Sequence, residues 1–230
     1  MSESDSIYST PIEITGEVAA LALNAVPVVG GIISDIANSF IRSRQNKRLN
    51  RFLLDLSSDL QNVKNQIEVN RINSEEYQNV VEDIFDKASS CRQQNKLDAF
   101  RALFINITFA DKPNYDEALE IASLIDRWQD RHILLLKILD NPQEANIKAG
   151  NVFRNDSGSF GSINQSLRML LLAWSEDQIY RTWQDLYDAK IHTTNGTKTM
   201  MSGSGVQVLE NRLSDYGKKV VSYIRNSIRT

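Results

Sequence analysis

Apolar residues recur at spacings of three and four along the first 140 residues, which predicts a series of amphipathic α-helices. A helix is expected from about Arg44 to Val69, and the next begins at Ser74, an N-cap followed by Glu75 and Glu76. The fifth helix should begin near Tyr115 and continue through Leu139 until Asn141-Pro142 stops it. The pattern therefore predicts an N-terminal bundle of about five helices.

The pattern changes after residue 150, where Gly, Ser and Asn accumulate and indicate a flexible linker or loop. Two short helices should follow, then a strand at 191–194 and a returning strand at 206–209. Asn195-Gly196 favours a tight hairpin turn between those strands, although the loop can also extend to Gly205. A last helix begins at Leu213-Ser214-Asp215. This order of elements predicts a winged-helix-like module.

The predicted fold class is mainly α, a helical bundle followed by a small winged-helix-like α+β module. The expected organisation is a disordered N-terminus at 1–14, the bundle at 15–149, the flexible segment at 150–166 and the module at 167–230.

An uncharged stretch of 16 residues, Val18 to Ile33, is the most informative feature of the chain. As a helix it measures about 24 Å, which is shorter than the ~30 Å hydrocarbon core of a bilayer. Membrane insertion is one interpretation, and a central core helix of the bundle is the alternative. The residues expected to contact a membrane or a partner helix are Val18, Leu21, Val26, Pro27, Val28, Gly30, Gly31, Ile32, Ile33 and Ile36.

A basic run follows the apolar stretch directly and contains no acidic residue. Its members are Arg42, Arg44, Lys47, Arg48 and Arg51. Such a run suits anionic lipid headgroups, at about 1 kcal/mol per basic residue near the surface. The alternative is a solvated helix face paired with Asp55 and Asp59 at helical spacing.

Composition narrows the function classes. The 26 basic and 29 acidic residues give a net charge of −3, so bulk charge predicts no nucleic-acid partner. One cysteine, Cys91, excludes an internal disulfide framework, and two histidines leave little for a metal site. Neither a nucleophile elbow nor a phosphate-binding loop occurs. We therefore expect no enzyme activity, cofactor or metal. The acidic start, residues 2–6, favours a cytoplasmic protein over a secreted one.

The segments VPVVGGIISDIANSF and RSRQNKRLNRFL, with LSDYGKKVVSYI near the C-terminus, resemble those of uncharacterised bacterial helical proteins. These proteins have an N-terminal Gly-containing apolar helix, a basic run, a helical bundle and a winged-helix-like tail. The resemblance implies a role in defence against phage through membrane damage. It implies no catalytic residue.

The second predicted helix of the module, from Glu176 to Ala189, carries four acidic residues and one arginine. Phosphates would repel such a helix, so we expect a protein partner rather than DNA. Trp174, Trp183 and Tyr187 are the expected partner anchors, unless they only fill the core of the module itself.

Taken together, the sequence favours a defence-type effector that forms homo-oligomers and perturbs anionic membranes, with pore formation and membrane association on activation. A winged-helix regulator or adaptor is the second hypothesis, and a structural oligomerising protein is the third.

Overall fold

The computed structural model describes residues 47–63, 72–153 and 160–225. Within these ranges the chain is mainly α-helical, with one small antiparallel sheet of two strands. The helices are α1 (Lys47–Val63), α2 (Glu75–Ser90), α3 (Gln94–Phe109), α4 (Tyr115–Arg127), α5 (Asp130–Asp140), α6 (Pro142–Lys148), α7 (Ile163–Leu170), α8 (Glu176–Asp188) and α9 (Asp215–Ile224). The strands are β1 (Phe160–Gly161) and β2 (Met201–Ser202). The mainly α class is confirmed.

Helix α3 holds the centre of the described helices. It is apolar on nearly all sides, as expected of a helix that other helices surround. It packs against α1, α2, α4, α5 and α9. Edge-to-face aromatic contacts extend the core outward, since Phe104 meets Phe85 at 5.9 Å between ring centroids and Phe85 meets Phe52 at 6.0 Å.

The start of α2 is confirmed as predicted, because the Ser74 hydroxyl accepts the Tyr77 N–H at 3.2 Å. The prediction of one continuous helix from about Tyr115 to Leu139 is wrong. The helix is interrupted at Trp128 and Gln129, so this part of the chain forms two helices, α4 and α5. The backbone N–H of Gln129 donates a hydrogen bond to Nδ1 of His132, with 3.0 Å between the two nitrogens. The His132 side chain thereby accepts a backbone N–H at the start of α5. The apolar sequence pattern therefore continues across the break, although the helix does not.

The residues Asn141 and Pro142 do end α5, and they also begin α6. The Asn141 carboxamide oxygen accepts the Glu144 N–H at 3.0 Å, and Pro142 occupies the first helical position. Proline suits that position because its missing N–H would have no partner in the helix.

The returning strand predicted at 206–209 is wrong, because Gln207–Leu209 forms one turn of 3₁₀ helix. Val208 and Leu209 are adjacent in sequence and both fully buried, so these residues do not alternate between a buried and an exposed face. The strand expected at 191–194 is reduced to one antiparallel bridge between His192 and Leu213.

The segment predicted as a flexible linker or loop contributes to the sheet. Phe160 pairs with Ser202 and Gly161 with Met201. The Ser162 hydroxyl accepts the Gln165 N–H at 3.2 Å, so α7 begins at Ile163, inside the segment 150–166 that was predicted to be flexible. Buried apolar side chains form one continuous core from Leu49 in α1 to Ile224 in α9.

Candidate functional site

Most of the residues expected to contact a membrane fall in the N-terminal part of the chain. The following lie outside the described residues: Val18, Leu21, Val26, Pro27, Val28, Gly30, Gly31, Ile32, Ile33, Ile36, Arg42 and Arg44. The basic run reaches the described chain at Lys47 and Arg48, which open α1. Arg51 projects into solvent, with its Nε 3.9 Å from Asp55 Oδ1.

Helix α1 is joined to α3 by a charge cluster as well as by apolar packing. The guanidinium of Arg101 is 94% buried and its Nη1 lies 3.1 Å from Asp55 Oδ2. Its Nε lies 3.0 Å from Asp59 Oδ2, an ion pair whose N–H does not point at that oxygen. Of the two acids predicted as partners of the basic run, Asp59 therefore faces Arg101 of α3, and Asp55 lies between Arg101 and Arg51 of the run.

Helix α9 packs on the bundle, and hydrogen bonds along this interface connect it to α3 and α4. The carboxamide of Asn106 donates to the Ser222 and Tyr223 carbonyls at 3.0 and 2.7 Å. The Tyr216 hydroxyl donates to Glu120 at 2.6 Å, and the Tyr223 hydroxyl donates to Glu117 at 2.9 Å. Lys219 also pairs with Glu117, so α4 receives three side chains from the last helix.

These contacts keep both tyrosines protonated well above their ordinary range. Burial, followed by the hydrogen bond to Glu117, raises the pKa of Tyr223 to about 12. Burial and the neighbouring Glu120 raise the pKa of Tyr216 further. Both hydroxyls therefore remain donors throughout the physiological range.

Of the three predicted partner anchors, Trp183 is fully buried. Its indole Nε1 donates to the Thr194 carbonyl at 2.9 Å, and its ring packs on His192 with 3.9 Å between centroids. Trp183 therefore fills the core of the C-terminal segment, which is the alternative that the sequence left open for it. Trp174 and Tyr187 are half-buried.

An open cleft of about 680 Å³ lies where the C-terminal ends of α4 and α8 meet the start of α9. Its apolar lining includes Leu124, Trp128 and Tyr216. Its charged lining consists of Glu120, Asp185, Asp188, Arg127 and Lys190. We call this feature the α4–α8 cleft. Its volume lies within the range of ligand pockets, and its mouth is open to solvent.

The wall of the cleft is fixed by a contact between α5 and α8. His132 is buried, and its Nε2 lies 2.9 Å from Asp185 Oδ2. Because Nδ1 accepts the Gln129 N–H, the ring proton sits on Nε2 and is donated to Asp185. Trp128 stacks on the His132 ring at 6.2 Å between centroids.

A second surface feature is a group of exposed apolar side chains in the C-terminal segment. Phe160 is 68% exposed and Met200 is 63% exposed, on the two chain segments that form the small sheet. Leu172, in the connection from α7 to α8, is 85% exposed.

The roles of Arg101, Asn106 and His132 were not predicted from the sequence. Arg101 had a visible signal, because it is the single cation between Leu97 and Ile107, an otherwise apolar stretch apart from Asp98 and Asn106. Asn106 and His132 act across more than 50 residues of sequence, so no local pattern identifies them.

Comparison of the chain with protein-family models, with curated proteins and with solved structures finds no match in any of the three. Among residues 47–63, 72–153 and 160–225, no helix combines the length and the apolar character needed to cross a bilayer. The same residues contain no cluster of three His, Cys, Asp or Glu side chains arranged to hold a metal ion.

Proposed function

We propose that this protein is a non-enzymatic effector of a bacterial defence type, which self-associates and perturbs membranes through its apolar N-terminal helix. The observation that carries the proposal is the uncharged stretch 18–33, which is followed by a basic run that continues into α1. An apolar segment flanked by cations suits insertion into an anionic bilayer.

The position of α3 supports the proposal. The alternative interpretation made the stretch 18–33 the central core helix of the bundle. Among the described helices α3 holds that position, with five helices around it. The described core therefore has a central helix of its own, which supports the membrane interpretation over the core interpretation.

The attachment of α1 to α3 supports the proposal, because it connects the basic run to the folded body. Arg101 fixes α1 on α3 through Asp55 and Asp59, and Leu53 and Leu56 are fully buried on the same helix. The folded body can thereby hold the basic run at its surface while the apolar segment enters the membrane.

Dye release from vesicles tests the proposal. Wild-type protein should release dye from vesicles containing anionic lipid, and less from neutral vesicles, because the basic run concentrates the chain at a negative surface. Replacing Arg42, Arg44, Lys47 and Arg48 by Gln should reduce release without lowering the unfolding temperature, since exposed charges contribute little to folding.

A matched control replaces four exposed cations of the C-terminal half by Gln, namely Lys148, Lys198, Lys218 and Arg181. This variant should release dye as the wild type does. An absence of release by the wild type from any lipid composition contradicts the membrane proposal.

An adaptor is the second candidate, and the exposed side chains Phe160, Met200 and Leu172 favour it. In this proposal residues 160–225 form a winged-helix-like module that binds protein. Its α8 is unsuited to DNA, because Asp185 faces His132 of the bundle and Glu176 pairs with Lys198 at 2.6 Å. Fluorescence anisotropy with mixed duplexes should detect no binding tighter than the non-specific range of about 10⁻⁴ M. Sub-micromolar, sequence-selective binding would favour a DNA regulator instead.

A further inference from the structure

We propose that Asn195 is a site of spontaneous covalent modification, at which the Asn195–Gly196 unit deamidates and rearranges to an isoaspartyl linkage. The inference goes beyond the proposed function and is independent of it. Its basis is a reactive pair of residues in a loop that is open at the pair and anchored on both sides of it.

The reaction needs only the chain and water. The backbone nitrogen of Gly196 attacks the side-chain carbon Cγ of Asn195, and the side-chain nitrogen leaves as ammonia with the proton of the Gly196 N–H. Water then opens the cyclic imide that this attack forms. Cleavage between Gly196 N and Asn195 Cγ gives aspartate, whereas cleavage between Gly196 N and the main-chain carbonyl carbon of Asn195 gives isoaspartate.

The structure leaves the pair open to this reaction. Asn195 is exposed, and neither residue lies in a helix, a strand or a hydrogen-bonded turn, so the tight hairpin turn expected at this pair is not formed. Within the described ranges, no hydrogen bond engages the Gly196 N–H or the Asn195 carboxamide. Gly196 has a φ of +77°, and a Cβ there would meet nothing within 4 Å. No neighbouring group therefore prevents the Gly196 nitrogen from turning toward Asn195 Cγ.

The residues on both sides of the pair are held by the fold. The Thr194 carbonyl accepts the indole N–H of Trp183 at 2.9 Å, and Trp183 is fully buried. Thr197 is 2% exposed, and its carbonyl accepts the Asn164 N–H at 2.8 Å in the first turn of α7. The chain between these two anchors is Asn195 and Gly196 alone.

An isoaspartyl linkage adds a methylene group to the main chain between the two anchors. The Thr197 anchor should yield first, because the Thr197 hydroxyl is buried without a hydrogen-bond partner among the described residues, and burying such a group costs free energy. The Thr194 anchor is tied to an indole ring in the core and should remain. The modification should therefore release the start of α7 from the loop.

Incubation of the full chain at mildly alkaline pH, followed by peptide mapping with mass spectrometry, tests the site. Asn73 is the internal control, because it is also exposed and precedes a small residue, but Ser74 is fixed at the start of α2 by its hydroxyl and its carbonyl. Modification at Asn195 should be at least about tenfold faster than at Asn73, since Gly196 is free to reach the attack geometry. Equal rates at the two sites, or no modification at Asn195, would overturn the proposal.

Hydrogen exchange of the aged chain, measured by NMR, tests the structural consequence. The Asn164 amide should exchange at least about tenfold faster in the isoaspartyl form than in the fresh wild type. Asn195→Asp is the matched control, because it adds the same charge without lengthening the main chain, and it should exchange as the fresh chain does. Asn195→Gln, incubated in the same way, should do so too. Unchanged exchange in the isoaspartyl form, or equal acceleration in Asn195→Asp, would contradict the release of α7.

Discussion

The bundle, residues 72–148, and the C-terminal segment, residues 160–225, are stabilised in different ways. The bundle depends on apolar packing around α3, where Phe100, Leu103 and Phe104 are fully buried. The C-terminal segment continues the same apolar core, with Trp183 and Leu209 fully buried, and adds close backbone contacts such as the hydrogen bond from the Ser214 N–H to the Ile191 carbonyl at 2.9 Å. Periodicity in sequence therefore predicts the first region well and the second poorly.

The largest effect should come from the centre of the bundle. Phe104→Ala removes a fully buried ring that contacts Phe85, and should lower the free energy of unfolding by about 3–5 kcal/mol. Urea unfolding followed by circular dichroism measures the loss. Gln94→Ala, at an exposed site on the same helix, should change the free energy by less than about 0.5 kcal/mol. Equal losses in the two variants would contradict the central position of α3.

The charge cluster between α1 and α3 should give the next effect. Arg101→Met removes the cation that faces Asp55 and Asp59, and a buried pair broken on one side costs about 3–5 kcal/mol. We expect the lower end, because Asp55 is partly exposed and water can reach it. Adding Asp59→Asn should recover part of the loss. No recovery would show that packing of the Arg101 stem, rather than charge, accounts for the cost.

A smaller effect should come from the backbone contact in the C-terminal segment. A Cβ added at Gly217 would lie 2.0 Å from the Ile191 carbonyl oxygen, so Gly217→Ala must displace backbone. Such crowding costs about 1–3 kcal/mol. Lys218→Ala, on the exposed face of the same turn, should cost little. Hydrogen exchange should show the loss concentrated in 191–225, and uniform loss across the bundle would contradict the contrast between the regions.

The smallest effect concerns the pH dependence of the C-terminal segment. Burial lowers the pKa of His192 below its ordinary value of 6.5, although its Nε2–H bond to the Trp183 carbonyl opposes the shift. The unfolded chain therefore takes up a proton that the folded chain resists, and stability should fall as the pH drops below about 6.5.

Urea midpoints measured from about pH 7.5 to about pH 5.5 show this fall. His192→Gln should flatten it, whereas Thr193→Ala at the exposed neighbouring position should not. Equal slopes in the wild type and in His192→Gln would exclude His192 as the cause.

The contrast also explains how far the sequence predicts the fold. Helix starts such as Ser74 were predicted because an N-cap acts within three residues. The break after Arg127 was missed because it depends on a bond between Gln129 and His132 that leaves the apolar pattern unchanged. The 3₁₀ turn at 207–209 was missed because burial of both Val208 and Leu209 depends on tertiary packing.

The candidate site was predicted only in part. The basic run is visible as a run of like charges, and its continuation into α1 agrees with the predicted helix. The α4–α8 cleft brings together Glu120, Trp128 and Asp188, which are separated by up to 68 positions. No sequence periodicity connects residues so far apart, so the cleft could be identified only from the structure.

The central proposal is that the apolar stretch 18–33 acts on membranes, and its alternative is that the stretch fills the core of the folded body. Thermal unfolding of Val28→Asp tests this most directly, read together with dye release from anionic vesicles. Our account predicts an unfolding midpoint close to that of the wild type and a loss of dye release. A large drop in the midpoint would contradict it, because an unpaired carboxylate costs several kcal/mol only where the stretch is buried in the core.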